Sequence, residues 1–129
     1  MGYVYADVTL KNAKRDGHSP VRTEALVDSA FWDTCIPGVV RDQLGLEEVA
    51  RRRVILADGQ TVSVPYVGPL FVEFEDRQAF VGALVTGDQV LLGAIAMEDM
   101  NVSIDPRSRK LVPNPPPWPG VVGGVRPAE

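Results

Sequence analysis

Apolar and polar residues alternate from the start of the chain. Val4, Ala6, Val8 and Leu10 interleave with Tyr3, Tyr5, Asp7 and Thr9, the two-residue period of a half-buried strand. The polar stretch KNAKRDGHSP then turns the chain into a second strand over 23–27. Pro37 is placed to open a short helix in which Val40 and Leu44 share a face, and Gly45 falls where a left-handed C-terminal cap is expected. In RVILADGQTVSV, Asp58-Gly59 sits between two β-branched runs, a strong signal for a tight hairpin turn. Two further strands, 69–75 and 78–85, are expected on either side of Asp76-Arg77. Val90, Leu91 and Leu92 lead into a helix over 94–100, followed by a short strand over 102–104, a turn at DPRSRK and a last strand around Leu111. The pattern predicts a mostly antiparallel β fold with two short helices.

The same pattern contains a weak internal repeat. ALVDSA followed by VVRDQLGLEE has the design of VLLGAI followed by AMEDMNVSID, an apolar strand, a turn and a short helix. Gly45 and Asn101 end the two helices, and both residue types tolerate the left-handed cap. The halves read as related by a pseudo-twofold axis.

Composition narrows the function classes. A chain of 129 residues fits one domain. That domain is expected over 1–113, with the Pro- and Gly-rich residues 114–129 as an extended or disordered tail. A net charge of -4 leaves no footprint for nucleic acid or anionic lipid. No basic segment precedes an apolar core at the N-terminus and no run reaches membrane-spanning length, so a soluble, cytoplasmic protein is expected. One cysteine, Cys35, excludes an intramolecular disulfide, and with the lone His18 it cannot build a thiolate-imidazole metal site. No metal or cofactor is expected. Cys35 reads as a small buried hydrophobe, His18 as a solvated loop residue and Arg51 to Arg53 as a solvated face.

Several markers then stand in a particular order. Leu26-Val27-Asp28-Ser29 is followed by Thr34-Cys35-Ile36-Pro37 leading to a helix and QLGL, then by the ADG hairpin at Ala57, Asp58 and Gly59. Leu91-Leu92-Gly93 precedes the second helix, and SIDPRSRKLVPNP closes the series. In this the chain resembles the retropepsin-like aspartic proteases, the single-domain family with many small bacterial members, over roughly residues 1–113. The resemblance implies a closed antiparallel β barrel and an aspartic endopeptidase acting as a homodimer on a peptide or protein substrate. Chemistry of that kind needs two carboxylates about 3 Å apart sharing one proton. With Gly93 at the matching place of the second half, the pair must be Asp28 and its symmetry mate. By resemblance, Asp28, Ser29 and Ala30 form the catalytic loop, Ser29 bracing it across the axis. Phe31, Trp32, Asp33 and Leu92 would meet substrate together with Ala57, Asp58 and Gly59, the flap over a peptide held as an added strand. The strand over 4–10 and the one near Leu111 are the expected dimer interface.

The motif departs from the family at Ala30, where Gly is usual, and in the bulk of Phe31 and Trp32. If the backbone at position 30 has positive φ, the methyl group adds strain of order 1 kcal/mol. Plainer readings stand beside these: Asp28 as a turn or cap residue with Ser29 bonding locally, Asp33 as a capping or solvent-facing carboxylate, Phe31 and Trp32 as buried packing or dimer contacts. The functional alternative to the enzyme is an inactive dimer that keeps the fold and a peptide-binding groove.

Overall fold

The computed structural model describes residues 3–14 and 17–115. Its elements are β1 (Val4–Asn12), β2 (Val21–Val27), β3 (Thr34–Ile36), α1 (Gly38–Leu44), β4 (Glu47–Ile55), β5 (Thr61–Phe74), β6 (Arg77–Val85), β7 (Val90–Leu92), α2 (Ala94–Met100), β8 (Val102–Asp105) and β9 (Lys110–Pro113). The alternation read in β1 is kept: Val4, Ala6, Val8 and Leu10 are buried, and Tyr5 and Asp7 are exposed. A sheet buried on one face has to put its apolar residues at every second position.

Six strands close into a barrel in the order β1, β2, β7, β3, β6, β5 and back to β1, while β4 lies outside it, paired with β5 alone. The mostly β fold expected from the pattern, and the closed barrel that the resemblance implied, are therefore present. Its seams are not all antiparallel, however. β2 with β7 and β3 with β6 run parallel, and the remaining four seams are antiparallel. The β2–β7 pair is where one half of the repeat meets the other. The core between the walls is built from Leu10, Ile36, Leu70, Val72 and Leu92, with Leu44 of α1 and Ala96, Met97 and Met100 of α2 closing it.

Both helices end as their sequences require. Gly45 has φ +63° and Asn101 φ +54°, each with its amide N–H turned back to carbonyls of the last turn. Pro37 stands at the start of α1, where its missing N–H costs nothing. Buried Asn12 donates from Nδ2 to the Leu44 carbonyl at 2.9 Å, tying the end of β1 to α1. Arg77 donates to the carbonyls of Met100, Asn101 and Asn114, which fixes the end of α2 and the segment after β9 to the β5–β6 turn.

Three features differ from the sequence expectation. β3 is a three-residue strand, every residue buried, and too short to show a period. β5 is one 14-residue strand where two pieces were expected; the register with β6 shifts between Val67 and Leu70, so Gly68-Pro69 forms a bulge in the strand instead of ending it. The closed barrel is not all antiparallel; within the chain β1 is paired to β2 and β5 and Leu111 is in the core, while Tyr5 of β1 stays exposed. The tail reading falls mainly on residues 116–129, outside the described residues. No helix among the described residues is long and apolar enough to cross a membrane.

Candidate active site

The two halves of the repeat meet at the site. β2 and β7 lie side by side with Ala25 opposite Val90, Leu26 opposite Leu91 and Val27 opposite Leu92, so Asp28 and Gly93 leave the sheet together. The Asp28 N–H donates to the Leu92 carbonyl at 2.9 Å, extending the ladder by one step. The chain then turns: the Phe31 N–H donates to the Asp28 carbonyl at 3.3 Å, and the Ala30 N–H donates to Asp28 Oδ1 at 3.0 Å. That second bond sets the carboxylate's orientation while leaving Asp28, Ser29 and Ala30 exposed. Asp28 is thus a turn residue by its local bonding and an accessible acid by its placement.

Ala30 carries no left-handed backbone. Among the described residues the non-glycine positions with positive φ are Glu75, Asn101 and Arg109, so the strain expected from replacing glycine is absent. The residue that does require glycine is Gly93. A Cβ built there would run into the carbonyl oxygens of Asp33 and Phe31 and the carbonyl carbon of Trp32. The loop lies directly on the start of α2, where the Ala94 N–H donates to the Phe31 carbonyl at 2.7 Å and the Ile95 N–H to the Trp32 carbonyl at 3.1 Å. These carbonyls satisfy amides that a helix leaves unpaired in its first turn.

Phe31 and Trp32 are 37% and 67% exposed, so the expectation of buried packing within the chain does not hold. Their carbonyls accept from α2, while the Phe31 side chain is partly covered and that of Trp32 is mostly exposed. Asp33 lies farther in, its side chain 16% exposed and its Oδ1 3.5 Å from Arg52 Nη1 on β4. It is neither a helix cap nor a solvent-facing carboxylate.

The hairpin turn forms where Asp58-Gly59 placed it. Leu56 N–H donates to the Gln60 carbonyl at 2.8 Å, Gly59 N–H to the Leu56 carbonyl at 2.9 Å, and the Gln60 N–H to Asp58 Oδ1 at 3.0 Å. Gly59 takes φ +87°, a conformation that favours glycine. Between the hairpin and the barrel lies a cleft of about 320 Å³, lined on one side by Phe31, Cys35 and Leu91, on the other by Val54, Leu56 and Ala57, and closed at the end by the 86–89 turn. The structure brings Phe31 and Ala57 together here. Asp58 and Gly59 form the exposed turn of the hairpin outside this lining, and Trp32 and Asp33 are not part of it.

Leu92 is a correction. It is fully buried in the core and unavailable to a ligand, whereas Leu91 faces the cleft opposite Cys35. Leu91 and Cys35 are the cleft residues that sequence reasoning missed. Burial, with a smaller contribution from the negative charge of Asp33, pushes the Cys35 thiol up to about 11, which keeps it protonated and inert at neutral pH. Ser29 lies on a different surface, in a hollow shared with Ala94, Met97 and Ile104. Among the described residues no group of three His, Cys, Asp or Glu side chains is gathered to hold a metal ion.

No family model matches the chain, and no curated protein matches it. What the site can do therefore follows from its own geometry: one accessible, oriented carboxylate per chain, beside a cleft under a hairpin.

Proposed function

We propose that this protein is an aspartic endopeptidase that works as a homodimer, with Asp28 of each chain contributing one carboxylate. The observation that carries the reading is the in-register exit of Asp28 and Gly93 from the parallel β2–β7 pair. It leaves a single acid where a repeated fold presents two equivalent positions, so a twofold partner is needed to complete a dyad. Two carboxylates that close share one proton. The ionised one takes a proton from water as that water attacks the peptide carbonyl carbon; the protonated one donates to the carbonyl oxygen. Collapse of the tetrahedral adduct expels the amine, which leaves protonated. The Ala30 amide holds the carboxylate in place, the Ser29 hydroxyl is free to brace the facing loop, and the peptide lies extended between Leu91 and the Ala57 hairpin.

The test is cleavage of a diverse peptide library between pH 4 and 7, with Asp28→Asn alongside. The substitution is expected to lower the rate by about 10²- to 10⁴-fold. Equal products from both proteins would sink the role of Asp28, and a monomer at micromolar concentration would count against any dyad. Phe31 favours a second reading, since it brings bulk into the cleft. On that reading the dimer retains peptides without cutting them, and Ala30→Gly with small residues at 31 and 32 would release Asp28-dependent activity.

A further inference from the structure

β4 is held weakly by everything except its ladder to β5. It has no second strand neighbour, and along its length only Val54 is even partly buried. Burial therefore does little to fix the hairpin arm over the cleft. One side chain compensates. Arg52, midway along β4, places Nη1 3.5 Å from Asp33 Oδ1 and its guanidinium carbon 4.0 Å from the centre of the Tyr66 ring. Tyr66, on β5, is seated against Gly82 of β6, where any added Cβ would run into the ring. The Asp33 side chain is largely shielded from water, whereas Arg52 is nearly half exposed. Among the described residues this is the ion pair that joins β4 to the loop carrying Asp28.

We propose that Arg52 is a positioning residue that pins the hairpin arm to the Asp28 loop. Its planar head reaches Asp33 while lying on Tyr66, so the barrel wall fixes the arginine and the arginine fixes the hairpin arm relative to the loop that carries Asp28. Both contacts are needed for that: an exposed ion pair alone is weak, and stacking on the Tyr66 ring adds an attraction of similar size. Asp33, two residues beyond Phe31, is then a structural anchor for the hairpin, with its charge already matched by Arg52. The consequence for peptide hydrolysis rests on the protease reading; the pinning itself does not.

Hydrogen exchange in an Asp28→Asn background separates the two. Arg52→Met, which keeps the apolar stem, is expected to speed exchange of the amides in 47–64 about three- to tenfold while leaving those of β1, β2 and β6 unchanged. Asp33→Asn should act on the same amides, and the double variant should add little to either. Arg52→Lys, which keeps the charge without the planar stack, should fall between parent and Arg52→Met. No change in the hairpin, an equal rise across the barrel, or fully additive effects would overturn the proposal. With Asp28 restored, Arg52→Met should raise KM several-fold with a smaller effect on kcat. If the exchange pattern holds and no variant cuts peptide, the pin stands and the protease reading falls.

Discussion

Gly93→Ala is the perturbation with the clearest physical outcome. Gly93 has φ -96° and ψ -172°, ordinary backbone for any residue, so the effect of a methyl group is steric alone. That methyl would lie 2.6 Å from the Phe31 carbonyl oxygen and 2.7 Å from the Trp32 carbonyl carbon, with the Asp33 oxygen closer still. All three are backbone atoms of one loop, and none can rotate away as a side-chain tip would. Relief requires the loop to move by about 0.5–1 Å, with an overpacking cost of about 1–3 kcal/mol. The movement also stretches the bonds from the Ala94 and Ile95 amides, each worth about 1 kcal/mol. A total of about 2–4 kcal/mol corresponds to a fall in Tm of roughly 7–16 °C for a domain near this size. Gly38→Ala is the control, because an added Cβ there meets nothing within 4 Å. It should be neutral or stabilise by about 0.4–1 kcal/mol. Urea denaturation followed by circular dichroism measures both. A Gly93→Ala protein within about 0.5 kcal/mol of the parent, or a Gly38→Ala protein equally damaged, would refute the account of how the loop sits on α2.

Two further predictions concern the cleft wall. Leu92→Ala should cost about 2–5 kcal/mol in unfolding free energy because Leu92 is fully buried, whereas Leu91→Ala should cost far less and alter what the cleft accepts; equal losses would refute the assigned faces of β7. The Cys35 thiol has its pKa raised from 9.0 to about 11, so between those values the folded state holds a proton that the unfolded state releases. Its contribution to stability is complete below pH 9 and is lost as pH rises toward 11. The urea midpoint should fall between pH 8 and 10.5 in the parent and fall less in Cys35→Ala. At pH 8 a thiol reagent should label folded Cys35 about 100-fold more slowly than the unfolded chain, from the thiolate fraction alone; matching rates would show the thiol to be open.

The repeat was legible because its two apolar triplets are the same strands that pair, residue against residue, in β2 and β7. The caps at Gly45 and Asn101 and the turn at Asp58-Gly59 were legible because each depends on local backbone preference. Other features were set by distant partners. Val90-Leu91-Leu92 is apolar throughout and has no alternation to read, so which face Leu92 takes is decided by β2 and β3 on either side. Gly68-Pro69 looks like a break in sequence, but β4, β6 and β1 all hold strand β5 along its length and absorb it as a bulge. Arg52 looked like one of three solvated arginines because its partner Asp33 is 19 residues away.

The loop after Asp28 explains why bulk at Ala30, Phe31 and Trp32 is compatible with the fold. What the structure asks of those three residues is main chain: an amide from residue 30 for the Asp28 carboxylate, and carbonyls from 31 and 32 for the first turn of α2. Any L-residue but proline supplies those groups in ordinary backbone geometry, so the fold's demand on these positions is on main chain, with Trp32 mostly exposed and Phe31 turned to the cleft. Glycine is needed at residue 93, where the loop's backbone leaves no room for a Cβ. The close approach between the two halves is made by Gly93 of the second half. Substitution of Phe31 should therefore alter what the cleft binds and substitution of Trp32 should have little effect on folding, whereas residue 93 controls whether the loop can sit in place at all.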